Sequence, residues 1–173
     1  MFRVFFLLLF TASFSSISFL AEGKGVYQTP QAFVADAFSS DVKAKALWLN
    51  ADIKEEAKAI LGHELRGLRL RYWGDANRSA WVLEEIGKEK PITVGVVVNQ
   101  NAIENLKVLI FRESRGWEVR HDFFTEQFKA VKLTDKHVLD RSIDGVTGAT
   151  LSVRALTRIA RLALFLHGQL AES

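Results

Sequence analysis

Between Asp144 and Ser152 the chain reads Asp-Gly-Val-Thr-Gly-Ala-Thr-Leu-Ser, residue types whose spacing can hold a phosphate. Gly145, Gly148 and Ala149 are small enough to let backbone approach a ligand closely. Thr147, Thr150 and Ser152 offer hydroxyls, and Leu151 opens a long run of helical periodicity. A helix N-terminus carries unpaired N–H groups and partial positive charge, so hydroxyls there sit beside a natural anion seat. The same residues have a plainer use. Thr150 or Ser152 can cap the helix while the glycines make the turn that enters it. Residue chemistry alone leaves both readings open.

A second cluster follows the apolar run that ends at Phe111: Arg112-Glu-Ser-Arg-Gly-Trp117. As a ligand-facing turn, Glu113 and Arg115 would supply charge, and Trp117 a face on which a planar ring can stack. The alternative is a charged hairpin end. Other chemistries are disfavoured. The histidines (His63, His121, His137 and His167) lack metal-ligand spacing, and His63-Glu64 is not followed by the second histidine of a zinc helix. No serine lies in a Gly-x-Ser-x-Gly setting. With no cysteine there is no disulfide, no c-type haem site, and no zinc or iron–sulfur centre built on thiolates. Redox chemistry therefore needs a cofactor held by other side chains.

Several elements must position these clusters. Thr29-Pro30 predicts a helix running to about Phe38, burying Phe33, Val34, Ala37 and Phe38. A second helix is expected from Asn50 or Asp52 to Gly62. Leu68, Leu70 and Tyr72 alternate with Arg69 and Arg71, the pattern of a sheet with one wet face, and Trp81-Val-Leu continues it after a turn at Gly74–Asn77. Pro91–Asn99 is the strongest strand, paired through Asn99–Ala102 with a strand over Ile103–Phe111. Trp117–Arg120 reads as a short strand and Phe123–Phe128 as a short helix, with Phe123, Phe124 and Phe128 assigned to the core. Leu151 to about Ala171 is a long helix. Its Arg154, Arg158 and Arg161 are expected on a solvated stripe. Helices at both ends of an antiparallel meander make a single α+β domain, and no dinucleotide fingerprint is present.

Hydrophobic residues at 49% suffice for a core, and a net charge of +3 does not mark a nucleic-acid binder. Arg3 precedes an uncharged apolar run from Val4 to Ala21, which reads as a signal peptide over residues 1–23; an uncleaved anchor is the rival. Either reading exports the rest, to the periplasm or the outer face of the inner membrane. Residues 24–90 then form the first helices and strands, and 91–173 the core that carries the Asp144–Ser152 segment.

Asp144-Gly-Val-Thr-Gly-Ala-Thr150 resembles the signature of the FMN-binding domain family, found in the C subunit of the sodium-translocating NADH:quinone reductase and the G subunit of the Rnf complex. That resemblance implies covalent FMN on Thr150 through a phosphoester, supplied from FAD by a flavin transferase that requires the acidic residue at Asp144. Gly145, Thr147, Gly148, Ala149, Leu151 and Ser152 are then cofactor-binding residues, joined by Glu113, Arg115 and Trp117. The family's His-x-Glu-Thr-Pro-Gly turn against the flavin is replaced here by Glu113-Ser-Arg-Gly116, without threonine or proline. The layout is similar to stand-alone exported FMN-binding proteins that accompany membrane reductases of the PepSY-helix type. It implies an electron carrier with the transferase and a membrane redox partner, a PepSY-type reductase or a quinone-linked complex. Two other readings stay open: an exported binding domain without flavin, and an FMN-dependent reductase acting on a small substrate.

Overall fold

Thr29 opens the first helix as the sequence demands. Its side chain accepts the N–H of Ala32 at 3.1 Å, Pro30 takes the first helical position, and α1 spans Pro30–Ala37. This computed structural model describes residues 25–38 and 42–171. The expected signal peptide lies outside them. Among the described residues no helix is long and apolar enough to cross a membrane.

The chain continues through β1 (Ala44–Trp48), α2 (Ala51–Leu61), β2 (Arg69–Gly74), β3 (Arg78–Ile86), β4 (Pro91–Asn99) and β5 (Ala102–Phe111). Asn50 caps α2 by accepting the N–H of Ile53 at 2.8 Å, and Gly62 closes it. A short 3₁₀ turn (Trp117–Arg120), α3 (Asp122–Thr125), a second 3₁₀ turn (Glu126–Phe128) and α4 (Thr150–Gly168) complete the fold. The five strands form one antiparallel sheet in sequence order, β1-β2-β3-β4-β5. The architecture is α+β.

Alternation along the strands sorts side chains to two faces. Trp81 and Leu83 of β3, with Ile92, Val94, Val96 and Val98 of β4, meet Leu156, Ile159 and Leu166 of α4 in the main core. The other face is smaller. Phe33 and Val34 of α1 cover Ala80, Val97 and Leu109 there, and Gly95 leaves room for the Phe33 ring, which would lie 2.5 Å from any Cβ at that position. Because β4 is covered on both faces, it reads as a continuous apolar run, whereas β2 alternates. α4 reaches β3, β4 and β5 and is anchored over the sheet through buried apolar side chains such as Leu156 and Ile159, each contributing about 1.5–3 kcal/mol.

Three expectations are corrected. Trp117–Arg120 is a 3₁₀ turn entered through Gly116 at φ +82°, and it joins no strand ladder among the described residues. Phe124 and Phe128 are fully buried, but Phe123 is 65% exposed, since the one-turn α3 can turn only part of its surface inward. The arginine stripe is not uniformly solvated. Arg158 reaches buried Glu85 at 3.2 Å and Arg161 donates to the His137 carbonyl at 2.6 Å, leaving Arg154 exposed.

Candidate functional site

Val146 to Ala149 makes a tight turn in which Ala149 N–H bonds the Val146 carbonyl at 2.9 Å. Gly148 occupies the third position at φ +82°, the left-handed conformation that a type II turn requires there. α4 begins on the next residue. Ala149 stands at the N-cap position, and no side chain caps the helix. The capping reading of Thr150 and Ser152 therefore fails. Thr150 is the first helical residue with an exposed side chain, and Ser152 is buried. A 19-residue helix thus presents its positive end without a side-chain oxygen to quench it.

The loop after β5 closes over this turn. Gly116, left-handed at φ +82°, packs so closely that a Cβ there would lie 2.7 Å from Ser152 Oγ and 3.4 Å from Ala149. Glu113 turns instead to the β3–β4 hairpin. Its Oε1 accepts the backbone N–H groups of Lys88, Glu89 and Lys90 at 2.6, 2.6 and 2.9 Å. Partial burial alone would raise this carboxyl; the three N–H bonds, with Lys90 nearby, outweigh it and hold the group below the ordinary carboxylate range. Arg112 braces the same strands by donating to the Pro91 carbonyl at 3.0 Å and Thr93 Oγ1 at 2.9 Å.

Hairpin, loop and helix end enclose a cleft of about 350 Å³, lined by Lys88, Glu113, Arg115, Gly148, Thr150 and Ser152 among others. Arg115 and Lys88, whose Nζ lies 3.5 Å from Glu89, line the cleft together with the uncapped helix N-terminus, and a Cβ on Gly148 would meet nothing within 4 Å. This donor set fits the phosphate of an FMN: unpaired N–H groups, two cations, and open space beside a threonine hydroxyl.

Among the sequence-predicted site residues, the cleft brings together Glu113, Arg115, Gly148, Ala149, Thr150, Leu151 and Ser152. Asp144, Gly145 and Thr147 lie on the exposed approach to the turn, and Asp144 N–H is held by Gln127 Oε1 at 2.7 Å. Trp117 does not line the cleft. It stands 43% exposed beside it, edge-on to His121 at 5.5 Å with the Arg120 guanidinium 5.1 Å from its ring. Sequence reasoning missed Lys88. Its signal was the short charged link Gly87-Lys-Glu-Lys90 between two strong strands, which must be a hairpin turn. Among the described residues no group of three metal-ligating side chains exists.

No curated protein and no solved structure matches the chain. The model of the family described as FMN-binding domain matches residues 87–164, a span that begins at the hairpin turn and ends within α4. Residues 87–164 are thus similar to the FMN-binding domain family, and they include every residue that lines the cleft.

Proposed function

We propose that the protein is an exported electron-transfer flavoprotein whose FMN is joined through its phosphate to Thr150. One observation carries the reading: the exposed Thr150 hydroxyl stands on the first residue of an uncapped helix, in a cleft that also holds Lys88 and Arg115. In the attachment step the hydroxyl gives up its proton and attacks the FMN-side phosphorus of FAD. The pyrophosphate bond breaks, AMP leaves, and a flavin transferase supplies the catalysis. Asp144, exposed ahead of the turn, is in this reading the acidic residue that the transferase recognises.

When bound, the isoalloxazine ring supplies reversible electron transfer. The chain's own residues do the rest. The first N–H groups of α4 and the two cations hold the phosphate charge, and the Glu113-clamped hairpin keeps Lys88 in place. Covalent tethering suits a compartment where a lost flavin is not replaced. The partner in this reading is a membrane redox protein, a PepSY-type reductase or a quinone-linked complex. Intact mass of chain co-produced with a flavin transferase tests the attachment, with one FMN per chain expected and an unmodified mass contradicting it. Alkaline phosphatase fused after Gly23 tests export, because only an exported fusion is active.

A further inference from the structure

The two edges of the sheet are treated differently. Along β5, Val26 bridges Ile110, Tyr27 N–H bonds the Leu109 carbonyl at 2.9 Å, and Lys132 bridges Ala102, so chain segments cover that edge. β1 pairs with β2 and has no strand on its other side among the described residues. It carries few of the usual protections of an open edge: no proline, no bulge, and a single lysine over five residues. Leu49 N–H points inward to the Leu68 carbonyl at 3.0 Å, so by alternation the backbone groups of Ala44, Ala46 and Trp48 point outward.

A groove flanks this edge on each face, and the two differ in chemistry. On the core side Leu47, Ile53, Tyr72 and Leu170 line a cleft of about 320 Å³. On the other side Ala44, Ala46, Lys45, Arg69 and Arg71 line a hollow of about 370 Å³. Register places Ala46 opposite Arg71 and Trp48 opposite Arg69, whose guanidinium lies 5.6 Å from the 64%-exposed indole. Among the described residues neither arginine has an acidic partner, and exposed Lys43 and Arg66 stand nearby in the chain.

We propose that the β1 edge binds an extended segment of a partner protein as an added sixth strand, one whose residues alternate between apolar and acidic. Strand addition sends successive side chains to opposite faces. Apolar residues then enter the Leu47–Tyr72 cleft while carboxylates meet Arg69 and Arg71. Charge also disfavours a second copy, whose edge would add two more arginines to the same face without an acid between them. This surface lies on the opposite edge of the sheet from β5 and is independent of the flavin site.

The test is titration of the full chain with a short capped peptide of alternating valine and glutamate, following Trp48 fluorescence and amide exchange at Ala44 and Ala46. Binding with protection of those amides is expected, together with binding at least about tenfold weaker for the valine–lysine counterpart. R69E/R71E should reverse that preference. A46P, which removes an outward donor from an edge where proline is tolerated, should abolish binding at unchanged thermal stability. Equal binding of both peptides, no binding of either, saturation by a second copy of the chain in ultracentrifugation, or a preference only for anionic vesicles would each overturn the proposal.

Discussion

One oxygen of Glu113 accepts the backbone N–H of Lys88 at 2.6 Å, and so joins the loop after β5 to the hairpin between β3 and β4. Both residues line the cleft, which lies within the span that the family model matches. The arrangement makes Glu113 a holder of the wall that carries Lys88.

Glu113→Ala leaves three N–H groups without their acceptor and should cost about 2 kcal/mol. Glu113→Gln keeps a carbonyl oxygen in place and should lose clearly less. The sign with pH follows from a folded pKa below the ordinary value: the stabilisation is present above about pH 4.5 and disappears as pH falls through the folded pKa. Urea melts of the three proteins at neutral and acid pH check it. Equal losses for Gln and Ala would contradict the clamp.

Gly116 and Gly145 should respond oppositely to alanine. Gly116 is left-handed and a Cβ would collide with Ser152 Oγ, so Gly116→Ala should cost at least about 1–2 kcal/mol. Gly145 meets nothing within 4 Å, so Gly145→Ala should stay within about 0.5 kcal/mol of wild type. Thermal denaturation of the pair decides between them.

Two histidines should pull stability in opposite directions with pH. His167 is buried. Trp81 Nε1 donates to Ser79 Oγ at 2.8 Å, and Ser79 Oγ in turn pairs with His167 Nδ1 at 2.7 Å. Burial lowers its pKa, opposed weakly by Asp75, so stability is full above about pH 6.5 and falls as pH drops towards the folded value. His63 is raised chiefly by its hydrogen bond to Glu85 at 2.9 Å, so its contribution is full below pH 6.5 and lost as pH rises through the folded value. His167→Leu should remove the acid-side decline, and His63→Gln should remove stability mainly in acid. Denaturation midpoints between pH 5 and 8 measure both.

Much of the fold was legible because local chemistry and tertiary packing agree. Thr29-Pro30, Asn50 and Gly62 mark helix ends by mechanisms that need no partner, and Pro91–Asn99 is apolar enough to be a strand in any context. β1 was not legible. Ala-Lys-Ala-Leu-Trp is made largely of helix formers with one buried side chain, and only the ladder from Ala44–Trp73 to Trp48–Arg69 makes it a strand. Trp117–Arg120 failed for the converse reason, since its apolar alternation joins no ladder among the described residues. In the site, the Asp144–Ser152 segment was readable from small residues and hydroxyls at a helix start. Lys88 and the Glu113 clamp were not, because they depend on a contact 25 residues apart in sequence.

The central claim is that Thr150 accepts the flavin, and mapping covalent flavin on Thr150→Ala tests it most directly. Thr150 caps nothing, so the substitution should leave stability within about 0.5 kcal/mol of wild type. Co-produced with a flavin transferase and purified under denaturing conditions, wild type should keep its yellow colour and carry FMN on the peptide containing Thr150. Thr150→Ala should be folded, colourless and unmodified. Flavin still bonded to Thr150→Ala, at Thr147 or Ser152, would contradict the account.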